Sequence, residues 1–175
     1  MNNLRTVFTS VFTAVLLCIT VSGVHAQTVI SKLVPETTSF SSDLVAPNGL
    51  AYHTNLRAHF ILRASEINLP AGTNIRSIGF KFAGGTEIPT NGNIKFYLEN
   101  SSNTVNAKST TWATAISTMS SVYSGLFDLP TGVIDEATVS VNLQSGFVYT
   151  GGSLYIAYEY SGTSFASISA RTNVN

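Results

Sequence analysis

Hydrophobic and polar positions alternate along much of this chain. From Arg76 to Leu98 it reads RSIGFKFAGGTEIPTNGNIKFYL, with Ile78, Phe80 and Phe82 in one phase and Gly79, Lys81 and Ala83 in the other. Past a turn-rich centre, Ile94, Phe96 and Leu98 alternate with Lys95, Tyr97 and Glu99. Successive side chains of a strand point to opposite faces, so a period of two predicts one buried and one wet face. Gly84-Gly85, Pro89 and Asn91-Gly92-Asn93 supply turn chemistry between the runs, and the expectation is a long hairpin. Its six large apolar residues would share one face and need a second layer to cover them.

The same period recurs elsewhere. Leu56, Ala58, Phe60 and Leu62 alternate with Arg57, His59, Ile61 and Arg63. Ala137, Val139, Val141 and Leu143 form another one-faced run, as do Leu154, Ile156, Tyr158 and Tyr160. Shorter strands are expected over Gln27–Val34, around Val122-Tyr123 and over Phe165–Ala170, with a short helical turn within Ala113–Ser121. Pro35, Pro47-Asn48-Gly49, Pro70-Ala71-Gly72, Pro130-Thr131-Gly132 and Gly151-Gly152 punctuate them. Short strands separated by such turns predict an all-β fold, an antiparallel β-sandwich or jelly-roll-like domain.

The N-terminus departs from this pattern. Arg5 precedes an apolar stretch from Val7 to Val21, and Val24-His25-Ala26 places small residues where a signal peptidase reads. That is the plan of a secretory signal, so residues 1–26 are expected to be removed and residues 27–175 to form a single domain. Cys18 does not fit a lipoprotein signal, because Leu17 precedes it and the apolar run continues beyond it. Cleavage takes away Arg5 and the only cysteine, leaving one more acidic than basic residue and no route to an intramolecular disulfide. The expected location is extracellular or on the outer cell surface, with no membrane span after cleavage.

Charged residues make up only 10% of the chain and formally cancel. This balance supplies neither a basic patch for nucleic acid nor a polybasic cluster for an anionic membrane. Candidate chemistry is sparse. His53 and His59 are the histidines left after cleavage, and no cysteine or third histidine completes a metal site with them. Asp135-Glu136 offers two adjacent carboxylates, too few by themselves for calcium. Glu66, Glu87, Glu99 and Glu159 are scattered, whereas glycoside hydrolysis needs two carboxylates flanking one bond. No G-x-S-x-G elbow and no phosphate-cradling glycine motif occurs. The expectation is no enzyme, no cofactor and no metal. The ligand-binding candidates are aromatic: the lone Trp112, with Tyr97 and Tyr155 on outward strand phases, and Tyr123 as a further outward tyrosine. Trp112 either covers one end of the sandwich core or offers its ring to a sugar or a partner protein.

FILRASEI (60–67), IRSIGFKFAGGT (75–86), NIKFYLEN (93–100), Trp112, VYSG (122–125) and VSVNLQSGFVYTGGSLYIAYEY (139–160), with the SGT that follows, occur in an order that resembles a β-sandwich module of secreted and cell-surface proteins of the Bacteroidetes group. Such modules often stand beside fibronectin type III-like domains in type IX secretion cargo. The resemblance implies a non-catalytic, adhesin-like role in adhesion, substrate binding or spacing, with a surface glycan or protein as ligand and further domains in the same chain. A carbohydrate-binding module of a larger secreted hydrolase is the alternative. The resemblance also implies one or two more strands after Asn175 and a C-terminal sorting domain, neither of which the sequence contains. The expectation is therefore that the last strands, 154–160 and 165–170, leave an unpaired sheet edge.

Overall fold

A computed structural model describes residues 40–41, 55–83, 92–129, 137–162 and 169–171. All fall within one unit, Lys32–Asn175. The expected signal segment, the strand over 27–34, the loop around Pro89, His53, Glu87 and Asp135-Glu136 lie outside the described residues.

Among the described residues eight strands appear in chain order: β1 (Phe40–Ser41), β2 (Asn55–Leu62), β3 (Asn74–Ala83), β4 (Gly92–Ser101), β5 (Ser120–Leu126), β6 (Ala137–Val148), β7 (Ser153–Gly162) and β8 (Ser169–Arg171). Two short helices interrupt them, α1 (Ala64–Ile67) and α2 (Trp112–Ile116). One sheet has the order β1-β8-β3-β6 and the other β2-β7-β4-β5, and every pairing is antiparallel. β1 thus pairs with β8, β2 with β7, β3 with β6 and β4 with β5. That nesting is a long antiparallel ribbon rolled into two layers, the jelly-roll arrangement expected from the sequence. Each connection changes sheet except the one between β4 and β5, where the ribbon doubles back.

The expected hairpin of β3 and β4 does not form. β3 lies in the first sheet, between β8 and β6, and β4 in the second, between β7 and β5. Their apolar faces oppose each other across the sandwich instead of sharing one side. Phe80 stacks on Phe96 with ring centroids 5.9 Å apart and meets Tyr158 edge-on at 5.3 Å. Phe127 packs edge-on against both phenylalanines, at 6.2 and 6.4 Å. Phe82, Ile94, Phe96 and Leu98 are fully buried. One strand is therefore the second layer that covers the other.

The other inward phases pack as predicted. Leu56, Ala58, Phe60 and Leu62 of β2, Val139, Val141 and Leu143 of β6, and Leu154, Ile156, Tyr158 and Tyr160 of β7 all join the same core. The strand read through Arg63 stops at Leu62. Glu66 accepts the Arg63 backbone N–H at 2.7 Å, and Asn68 closes α1 in the left-handed region at φ 47°. The C-terminal strands are not edges, contrary to expectation: β7 lies between β2 and β4, and β8 between β1 and β3. At the β5 edge of the second sheet, the Gln144 side-chain amide of β6 mimics a strand. Its Oε1 accepts the Ser124 N–H at 3.2 Å and its Nε2 donates to the Ser124 carbonyl at 3.0 Å.

Candidate functional site

The outer face of the β2-β7-β4-β5 sheet is divided in two. Its upper half is covered by residues 102–119, the connection between β4 and β5, and a second, smaller cluster forms beneath this cover. Met119, Tyr155 and Ala157 are buried there, with Ile61, Tyr97, Trp112 and Ile116 packed around them. β7 is consequently buried on both faces from Ser153 to Tyr158.

The cover is fastened by polar contacts. The Tyr155 hydroxyl accepts the Ala107 backbone N–H at 2.9 Å and the Asn103 amide at 3.0 Å, and donates to the Val105 carbonyl at 3.2 Å. Lys108 Nζ lies 2.7 Å from Glu99 Oε2 and 3.0 Å from Thr118 Oγ1, and sits 5.0 Å from the centre of the Tyr155 ring. Asn106 donates to the His59 carbonyl at 3.3 Å and its amide lies 3.1 Å from His59 Nδ1. His59 and Glu99 therefore have structural partners in the cover.

The lower half of the face lies beyond this cover and is mostly polar, with the exposed Leu126 of β5 opposite Asn93. Strand register places Arg57, Glu159, Lys95 and Ser124 in one row across all four strands. Asn55, Ser161 and Asn93 form the next row outward. Together these residues line a groove of about 600 Å³, within the size range of small-ligand sites. Arg57 donates from Nε to Glu159 Oε1 at 3.0 Å and pairs with the same oxygen through a terminal nitrogen. Its guanidinium carbon lies 5.7 Å from the centre of the Trp112 ring, a cation–π contact that holds the arginine in place. Trp112 in turn meets Tyr97 edge-on at 6.2 Å. Burial raises the Tyr97 phenol above its ordinary range, Glu159 adds to the rise, and Arg57 opposes it.

The aromatic residues singled out in the sequence thus converge, in different roles. Trp112 and Tyr97 are half-buried and stand where the covered half meets the groove. Tyr155 is 1% exposed and presents no ring face to a ligand; its contribution is to fasten the cover. Trp112 rests on the outer face of a sheet, not over the end of the main core. Tyr123 does not face outward: a register shift between Phe96 and Tyr97 leaves it opposite Phe96 and packed toward the main core. Arg57, Lys95 and Glu159 were visible in the sequence only as outward or scattered polar residues. Their common row depends on strand pairing, which alternation does not encode.

No protein-family model, no curated protein and no solved structure matches this chain. The site therefore has to be read from its own chemistry. Among the described carboxylates, Glu66 caps α1, Glu99 holds Lys108 and Thr118, Glu159 holds Arg57, and Asp128 accepts the Gly92 N–H at 3.2 Å. Among the described residues no group of three metal-ligating side chains comes together, and no helix is long and apolar enough to cross a membrane.

Proposed function

We propose that this chain is a non-catalytic β-sandwich module of an exported surface protein and that it binds saccharide through the open half of the β2-β7-β4-β5 face. One observation carries the reading. A groove of about 600 Å³ crosses four strands and is lined by amide, hydroxyl and charged side chains together with Leu56, Ile94 and Tyr160, and its Arg57 lies against a half-buried tryptophan–tyrosine pair. Sugar hydroxyls need many directional donors and acceptors, and an adjacent aromatic surface suits the apolar face of a pyranose. Asn55, Asn93, Ser124 and Ser161 supply the former, and Trp112 with Tyr97 the latter.

The binding role is also favoured by how the carboxylates are used. Glu66, Glu99 and Glu159 each hold a structural partner, whereas a hydrolytic pair must be free to flank a bond. Placement on a secreted or surface protein rests on the signal-like N-terminus and on the resemblance to Bacteroidetes modules. A glycan array tests the reading. Binding to at least one saccharide class is expected, reduced at least tenfold by Asn93→Ala and by Trp112→Ala in protein whose circular dichroism is unchanged. Binding untouched by both substitutions would place the ligand elsewhere. Reproducible hydrolysis of a glycan, abolished by Glu159→Gln, would replace a binding module with an enzyme.

A further inference from the structure

The charges in the groove are unequal. Arg57, Glu159 and Lys95 stand side by side on adjacent strands, two cations about one anion. Glu159 is directly opposite Lys95 in register, yet its Oε1 is taken by Arg57 through two nitrogens. Arg57 is further held by the Trp112 ring. Among the described residues Lys95 has no hydrogen-bond or ion-pair partner, and it is exposed in the floor of the groove. Other titratable groups around the row are engaged. His59, one row toward the cover, contacts Asn106, Glu99 holds Lys108, and Asp128, beyond the opposite end, accepts from Gly92. Among the described residues the groove therefore presents a net positive charge at its centre, beside hydroxyl and amide groups suited to a sugar.

Resting on the saccharide-binding reading, we propose that the ligand is an acidic saccharide, a uronic-acid polymer or similar, with its carboxylate seated on Lys95. Glu159 Oε1 is shared with Arg57, so the one carboxylate stands between two cations and the exposed ammonium is available to the ligand. Asn93 and Ser124, which neighbour Lys95 along and across the strands, are placed to meet hydroxyls on the same ring. A charge-assisted contact of this kind is stronger than a neutral hydrogen bond and weakens with salt.

The test is calorimetric titration of the full chain with matched oligosaccharide pairs. Oligogalacturonate, oligoalginate and hyaluronan fragments are each compared with their carboxyl-reduced, uncharged counterparts. At least one acidic oligomer is expected to bind tenfold or more tighter than its reduced partner. That preference should shrink to near unity in Lys95→Gln and at 0.5 M salt, where the Debye length falls to about 4 Å from about 10 Å at 0.1 M. Lys81→Gln, on an outer position of the opposite sheet, should leave it unchanged. Equal binding of acidic and reduced oligomers, or a preference that survives Lys95→Gln, overturns the acidic ligand while leaving saccharide binding intact. Absence of binding across both series and across neutral glycans overturns both readings. A preference for sulfated over carboxylated oligomers overturns the carboxylate in favour of another anion.

Discussion

Removing one oxygen atom from Tyr155 or from Tyr158 should move stability in opposite directions. Both side chains are essentially buried and lie on the same strand, but on opposite faces. The Tyr155 hydroxyl has three partners in the cover, Ala107, Asn103 and Val105. A hydrogen bond contributes about 0.5–1.5 kcal/mol net. The three cover residues are themselves exposed, so water can replace part of what is lost, and Tyr155→Phe should cost about 2 kcal/mol. The Tyr158 hydroxyl lies in the main core without a hydrogen-bond partner among the described residues. Burying an unbonded hydroxyl costs roughly 1–3 kcal/mol, against which the small void left by its removal is minor. Tyr158→Phe should therefore stabilise by about 1 kcal/mol. The two variants differ by about 3 kcal/mol, which for a domain of this size separates their melting temperatures by roughly 6–12 °C. Urea denaturation followed by circular dichroism and by the fluorescence of Trp112 measures both. The Trp112 signal adds a second reading, since loosening of the cover in Tyr155→Phe should expose the indole before the sheets unfold. If Tyr158→Phe were as destabilising as Tyr155→Phe, the Tyr158 hydroxyl would have a partner, such as an enclosed water, and the contrast drawn between the two faces would be wrong.

Four further outcomes are expected. Burial pushes the Tyr160 phenol up to about 12, with Asp128 adding to the rise, and raises Tyr158 further, while in the unfolded chain tyrosine ionises near 10. The folded state thus holds protons that the unfolded state releases, so stability is whole below about pH 10 and falls as pH rises toward 12, on the order of 2–3 kcal/mol from Tyr160 alone; alkaline melts of the wild type and Tyr160→Phe should show this slope in the first and a shallower one in the second. Phe96→Ala removes a fully buried ring in contact with Phe80, Phe127 and Tyr158 and should cost about 3–5 kcal/mol, and Phe80→Asp should prevent folding, whereas Lys81→Asp, in the outward phase, should cost under about 1 kcal/mol by chemical denaturation. Gln144→Val uncovers the Ser124 backbone on β5, so sedimentation velocity should show increased self-association with little change in the monomer's melting temperature.

Alternation in the sequence identified which side of each strand faces the core, and it did so for β2, β3, β4, β6 and β7. It did not identify neighbours. A period of two fixes a face, and the residues between Phe82 and Ile94 are as compatible with crossing between sheets as with reversing inside one. Tyr155 illustrates a second limit. It occupies an outward phase, and its burial comes from residues 102–119, which read as a polar stretch followed by Trp112 and a short helical turn and whose covering role depends on a few contacts far apart in sequence. The aromatic half of the site was legible because the lone tryptophan and an outward tyrosine are conspicuous. The polar half was not, because Arg57, Lys95 and Glu159 are separated by 38 and 64 positions and only strand pairing puts them in one row.

That pairing also explains why the open ground lies where it does. In the nested ribbon, the β4–β5 connection begins and ends in one sheet, and it folds back over that sheet's outer face. It carries α2, whose Trp112 and Ile116 supply the apolar underside that such a cover needs, and the covered rows answer with Ile61, Tyr97, Tyr155 and Ala157. The rows beyond its reach are Arg57–Glu159–Lys95–Ser124 and Asn55–Ser161–Asn93–Leu126, polar on β2, β7 and β4, with the exposed Leu126 of β5 as the large apolar side chain among these eight positions. The change from apolar to polar outward positions along β2, β4 and β7 therefore coincides with the boundary of the cover. Trp112 stands at that boundary, fixed by Tyr97 on one side and approached by Arg57 on the other. On the proposed reading, side chains already placed by these contacts lower the conformational cost of receiving a ligand, so substitutions at this boundary are the ones that test it.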